Sequence, residues 1–285
     1  MNITFISIGQ ITNVLYMRNI QFEVLTENDL VEISSLQPAD WPDIIPDITF
    51  YINSSFCHPI KAIVCHKIVG TGTLVVFENT CWIAHIIVGR KYRNRGIGAA
   101  IVNELLETIK NNSIDTCSLI ATDLGKPLYV KAGYRTAGEY SFLEKIESWT
   151  NCPVSSNIIP FKEEYRTTVY ALDKLVSGEN REKLLVDFLS SSMLYVENNN
   201  VLGFYLPGLK EGLIYAVTEE AGLALMNLKY AKVAKAALPT DNVAGLDFLL
   251  QNGFSEIRKG SRMIIGKDID WKPQKIFSRI GGNFG

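Results

Sequence analysis

One run of residues in this chain combines the types and spacing needed to hold a charged ligand. It is Arg93-Asn94-Arg95-Gly96-Ile97-Gly98-Ala99, set between the apolar stretch His85-Ile86-Ile87-Val88 and a helical pattern that continues to about Ile109. Glycines at 96 and 98 can take positive φ and leave no side chain in the way. Successive backbone N–H groups then converge on the oxygens of an anion at the positive end of the helix. Arg93 and Arg95 add charge-assisted donors at the same place. The turn reads Arg-x-x-Gly-x-Gly. It lacks the Gly-Lys-Ser/Thr of the nucleotide phosphate loop and the three spread glycines of the dinucleotide fingerprint, so a different phosphorylated ligand is expected.

The elements that must position this turn follow from the flanking pattern. A first strand is expected over Ile20 to Leu25, followed by a helix capped by Thr26, with Glu27, Asp29 and Glu32 favouring its first turns and Pro38 ending it. A second helix fits Trp41 to Asn53. Strands at Ile60 to Lys67, Gly70 to Phe77 and Cys81 to Val88, joined by short turns, read as an antiparallel meander. After the glycine turn and its helix come a short strand at Thr116 to Ala121, the segment Gly125-Lys126-Pro127-Leu128-Tyr129-Val130-Lys131-Ala132-Gly133-Tyr134, and closing strand pattern from Tyr134 to Ile146. Residues 1–17 form a candidate extension, rich enough in β-branched residues at Ile3 to Ile8 to add an edge strand.

This order of elements, with the Arg93, Gly96 and Gly98 turn after a strand ending in Val88 and a tyrosine four residues before Gly133-Tyr134, resembles the GNAT superfamily of N-acetyltransferases. The resemblance implies an α/β fold, a central mixed twisted sheet flanked by helices, with acetyl-CoA as cofactor and direct acetyl transfer to an amine. It implies that Ile86, Ile87 and Val88 hold the pantetheine arm and thioester oxygen, while Arg93, Asn94, Arg95, Gly96, Ile97, Gly98 and Ala99 cradle the pyrophosphate. Tyr129 is then the candidate general acid for the departing thiolate, since a phenol with an ordinary pKa near 10 stays protonated at neutral pH. Its bland reading is an aromatic that packs the helix on the sheet. His85, with an ordinary pKa near 6.5, is the candidate base, and Glu139, Asp123 and a water chain compete with it. Trp41 lies where the family builds its acceptor pocket and Trp82 on the central strand. Both are candidate substrate contacts, set against a packing role.

Beyond Thr150 the polar stretch Asn151 to Asn157 reads as a linker. The boundaries expected are a catalytic domain over 18–150 and a degenerate GNAT-like domain over 158–285. In the second half Asp173 to Leu189 reads as helix, Met193 to Glu197, Val201 to Leu206 and Gly212 to Val217 as strands, and Ala221 to Leu228 as helix. Thr240-Asp241 through Gly253-Phe254 echoes Thr122-Asp123 through Gly133-Tyr134. Thr218-Glu219-Glu220 stands where the first copy has its basic turn, and Leu249 where it has Tyr129, so only the first copy is expected to bind cofactor.

A length of 285 residues favours two domains. A formal charge of -2 argues against nucleic-acid binding. Five cysteines without a Cys-x-x-Cys pair, and His58 and His66 as the only other histidines, suggest neither metal site nor disulfide framework. With no apolar run of membrane-spanning length and no signal-peptide pattern, a cytoplasmic monomer or homodimer without a membrane partner is expected. Three activities remain open: an N-acetyltransferase for a small-molecule or peptide amine, a non-catalytic acyl-CoA-binding regulator, and an acyltransferase for a longer chain.

Overall fold

Alternation of apolar and polar residues, punctuated by short turns, builds the N-terminal part of the protein into strands in a computed structural model that describes residues 20–39, 41–111, 113–146 and 153–285. By packing, the chain divides into two compact units. One holds the described residues up to Cys117 together with Val130–Gly133, and the other holds Ser118–Tyr129 with Tyr134–Gly285. The candidate extension at 1–17 and the start of the expected linker, 151–152, lie outside the described residues.

In the first unit β1 (Gln21–Val24), β2 (Cys57–Val64), β3 (Lys67–Phe77) and β4 (Thr80–Val88) pair antiparallel in that order, the expected meander. Thr26 opens the first helical segment through a capping box with Asp29, its N–H and hydroxyl both donating to the Asp29 carboxylate at 2.8 and 2.9 Å. A single 3-10 turn, Glu27–Asp29, leads into α1 (Leu30–Ser34). The second helix, α2, is shorter than the sequence pattern predicts: it spans Ile45–Asn53 and takes Pro46 into its first turn, where a missing N–H costs nothing. The long helix α3 (Ile97–Asn111) packs on β3 through glycines. A Cβ at Gly70 would lie 2.8 Å from Ile101 Cδ1, and one at Gly72 2.7 Å from Ile101 Cγ2. Small residues there let the helix come down on the strand and bury Ile97, Ile101 and Leu105, each burial stabilising by about 1.5–3 kcal/mol.

The second unit takes in most of β5 (Thr116–Ala121) and the helix α4 (Lys126–Lys131). Here β6 (Arg135–Lys145) lies between β11 (Lys235–Pro239) and β12 (Phe254–Gly266), antiparallel to both. A second sheet runs in the order β13 (Ile276–Ser278), β10 (Leu213–Ala216), β9 (Asn200–Leu206), β8 (Met193–Glu197) and β7 (Ile158–Pro160), antiparallel throughout. The helix expected over Asp173 to Leu189 is broken. α5 (Arg166–Ser177) stops at Gly178, whose φ of 74° places a left-handed cap, and a short α6 (Glu182–Leu185) follows. α7 (Glu219–Tyr230) and α8 (Val243–Gln251) complete the unit. The echo between the halves is visible in the backbone, since Gly133 (φ 96°) after α4 and Gly253 (φ 81°) after α8 both turn the chain into strands, β6 and β12, that pair with each other.

Candidate active site

The basic turn leaves β4 at Val88, passes through a 3-10 turn at Arg90–Tyr92 and enters α3 at Ile97. Asn94 and Gly96 adopt left-handed conformations, with φ of 61° and 81°. Gly98 does not: it is the second residue of the helix, which corrects the expectation that both glycines take positive φ. The reason is that helical hydrogen bonding has already begun, with the Ala100 N–H donating to Gly96 O at 3.0 Å, so Asn94 supplies the second left-handed position. Left-handed residues interleaved with other conformations turn consecutive N–H groups to one side, and the first N–H groups of α3 carry the positive end of its dipole. Arg93 Nε donates to Val88 O at 3.1 Å, so this guanidinium braces the exit of the strand. Arg90, Lys91 and Arg93 are exposed and Arg95 is half-buried, while no carboxylate occurs between Val88 and Ala99. That donor set fits a pyrophosphate.

A break in β4 lies just before the turn. Thr71 pairs with Ile87 and Thr73 with Ala84, so Gly72 alone faces two residues, His85 and Ile86. This is a β-bulge, and His85 carries it at φ 49°, a conformation costing a non-glycine residue on the order of 1–3 kcal/mol. The same bulge leaves Ile86 close above Gly72, beside Ile101 of α3. His85 meets a cluster from the other helices. Its Nδ1 lies 2.8 Å from the Tyr51 hydroxyl, its Nε2 3.5 Å from Asp47 Oδ2, and its ring stands edge-on to Trp41 with centroids 6.1 Å apart. Gln37 steadies the segment bearing Trp41, donating to Trp41 O and accepting from the Ile44 N–H.

Burial pushes the His85 imidazole down to about 4. At neutral pH it is therefore uncharged, and desolvation outweighs the carboxylate 3.5 Å away. The candidate base is thus an uncharged ring at neutral pH whose Nδ1 is already engaged by the Tyr51 hydroxyl. Trp41 is 36% exposed, whereas Trp82 is 2% exposed and closed into the core, which leaves its indole no face for an acceptor. Asp47 and Tyr51 were not singled out by sequence reasoning. Their signal was a polar pair four residues apart on a helix whose neighbour Ile48 is buried.

In the second unit Tyr129 sits half-buried on α4, its ring edge-on to Tyr134 with centroids 5.8 Å apart. The Tyr134 N–H donates to Tyr129 O at 3.0 Å, closing the helix before β6. Asp123 is exposed in the preceding turn, and Glu139 on β6 faces Lys259 at 3.8 Å. Among the described residues, no group of three or more His, Cys, Asp or Glu is placed to hold a metal.

Residues 28–134, from the first helical segment to the end of the α4 turn, match the Acetyltransferase (GNAT) family. The chain carries a GNAT acetyltransferase domain. The "Uncharacterized N-acetyltransferase YitH" of Bacillus subtilis is 27% identical over 197 residues, spanning 64% of this chain and 68% of the relative. The structure of "A Putative Acetyltransferase" from Pyrococcus horikoshii superposes with a TM-score of 0.79 at 20% identity, covering 95% of this chain and 97% of that one. A tandem GNAT protein from clavulanic acid biosynthesis gives a TM-score of 0.61 at 13% identity, covering 87% and 98% respectively. At these identities the two structures establish the fold, a mixed α/β GNAT architecture.

Proposed function

We propose that the protein transfers an acetyl group from acetyl-CoA to an amine by direct attack. The observation that carries this reading is the turn from Val88 to Ala99. There, left-handed Asn94 and Gly96, the start of α3 and four basic side chains form a carboxylate-free anion cradle behind a bulged strand. The cofactor supplies an acetyl thioester. In this reading the backbone of residues 94–99 binds its pyrophosphate, with Arg95, Arg90 and Lys91 adding charge, and Ile86, Ile87 and Val88 hold the pantetheine arm and polarise the thioester carbonyl. The neutral amine attacks that carbonyl, the C–N bond forms and the C–S bond breaks, the nitrogen's surplus proton passes to water, and Tyr129 protonates the departing thiolate and is reprotonated from solvent.

The proposed division of labour gives cofactor binding to residues 18–150 and leaves 158–285 without a cofactor site, as a GNAT-like half retained for packing. Among the described residues no helix is long and apolar enough to cross a membrane. Cys57 and Cys65 are free thiols, which suits the reducing cytoplasm proposed here. The test is calorimetric titration with acetyl-CoA, followed by amine-dependent release of CoA across a panel of primary amines. Binding with release supports the enzyme; tight binding with no release from any amine would favour a non-catalytic acyl-CoA binder. Faster release from longer acyl-CoAs would point to a different acyl donor.

A further inference from the structure

We propose that the acceptor enters as a cation and that Asp47, framed by Trp41 and His85, is the carboxylate that receives it. This inference rests on the acetyl-transfer reading above. Asp47 and Tyr51 lie one turn apart on α2, and the bulge at His85 brings the imidazole to both of them. Tyr51 is fully buried, and its hydroxyl holds Nδ1 at 2.8 Å. A carboxylate on the Nε2 side favours the tautomer whose proton lies there, so Nδ1 accepts from the Tyr51 O–H. His85 is thereby a positioning residue, held at Nδ1 by Tyr51 with its Nε2 3.5 Å from the Asp47 carboxylate.

What a ligand can reach in this cluster is decided by exposure. The Asp47 side chain keeps 26% of its surface against 12% for His85, and Trp41 keeps 36%. The accessible part is therefore a carboxylate and an indole that share His85 as their neighbour. Such a pair binds a primary ammonium through a charge-assisted hydrogen bond and a cation–π contact. It offers little to a neutral hydroxyl and repels a carboxylate. Asp47 also stands in the first turn of α2, at the positive end of that helix's dipole. The specificity that follows is for an amine carrying its charge at the reacting end and apolar or aromatic surface next to it.

The experiment uses the full chain saturated with CoA, with 2-phenylethylamine and its neutral analogue 2-phenylethanol titrated separately and CoA affinity measured on the same samples. The amine should bind at least about 10-fold more tightly than the alcohol, the range expected of one hydrogen bond to a charged group. Asp47→Asn should weaken the amine by about 10- to 100-fold and leave the alcohol and CoA unchanged, and Asp47→Glu should recover part of the loss. Unchanged CoA affinity reports that the variants are folded. Equal binding of amine and alcohol, an Asp47→Asn variant that binds the amine normally, or a CoA-saturated protein that binds no amine would each overturn the proposal. Failure of the wild-type chain to bind CoA would instead remove the acetyl-transfer reading beneath it.

Discussion

Two helices that each follow a strand, α3 after β4 and α7 after β10, begin in opposite ways. At α3 the chain enters through left-handed Asn94 and Gly96 among basic side chains. At α7 it enters through Thr218 in extended conformation, whose own hydroxyl accepts the Ala221 N–H at 3.3 Å. Glu219 and Glu220 fill the first turn, and the Glu220 carboxylate accepts from the Tyr195 hydroxyl at 3.0 Å. Gly222 survives in α7 for packing: a Cβ there would lie 2.3 Å from the Phe277 ring. A helix N-terminus carries the same unsatisfied N–H groups in both places. At α7 the Thr218 hydroxyl satisfies one of them, whereas between Val88 and Ala99 the sequence supplies no carboxylate or capping hydroxyl before α3, the place proposed for the pyrophosphate.

The same contrast holds further along, where half-buried Tyr129 in one copy corresponds to fully buried Leu249 in the other. Tyr129→Phe keeps the ring and removes the proton donor, so turnover should fall by about 10²–10⁴-fold with CoA affinity nearly intact. An undiminished rate in steady-state kinetics would reduce Tyr129 to the packing role that Leu249 plays. Gly96→Asp places a carboxylate at a left-handed position facing the anion and should weaken CoA binding by about 10²-fold, while wild-type protein titrates with one CoA per chain. Two CoA per chain, by calorimetry, would mean that the acidic turn before α7 also binds.

Titration separates the units as well. The folded pKa of His85 lies below its unfolded value, so its contribution is present above pH 6.5 and lost as pH falls toward about 4. Unfolding free energies of wild type from urea titration should drop over that window by up to about 3 kcal/mol more than those of His85→Gln; parallel curves would show that the ring is not desolvated. The smallest effect is expected at Gly222→Ala, where displacing Phe277 should cost about 1–3 kcal/mol of stability without altering CoA affinity. A thermal melt and one titration check both halves of that statement.

The strands and the basic turn were legible because they depend on local pattern. Thr116–Ala121 has the expected bounds, and the meander differs from expectation by a few residues at most. What was not legible depends on distant partners. Gly178 interrupts a helical pattern because a Cβ there would meet Ile269 Cγ2 at 2.4 Å, ninety-one residues away in sequence. The bulge at His85 is a matter of register with β3, and its partners Tyr51 and Asp47 are 34 and 38 residues upstream. Periodicity cannot report which polar residues of a helix meet a strand residue that far away. Nor does spacing alone tell that Gly98 is helical, since that depends on where hydrogen bonding starts after Gly96.

The buried ion pair of the second unit bears on the rate at which the chain folds. Arg181, 1% exposed, binds the Asp173 carboxylate, the Tyr215 hydroxyl and, through its remaining nitrogen, the carbonyl of Phe284 at 3.0 Å. Phe277 and Phe284 are themselves buried. Without residues 277–284 the Arg181 guanidinium would lack one acceptor and Gly222 would have no ring above it. The core of the second unit is therefore closed by contacts that span 103 residues, which is the kind of long-range pairing that slows folding.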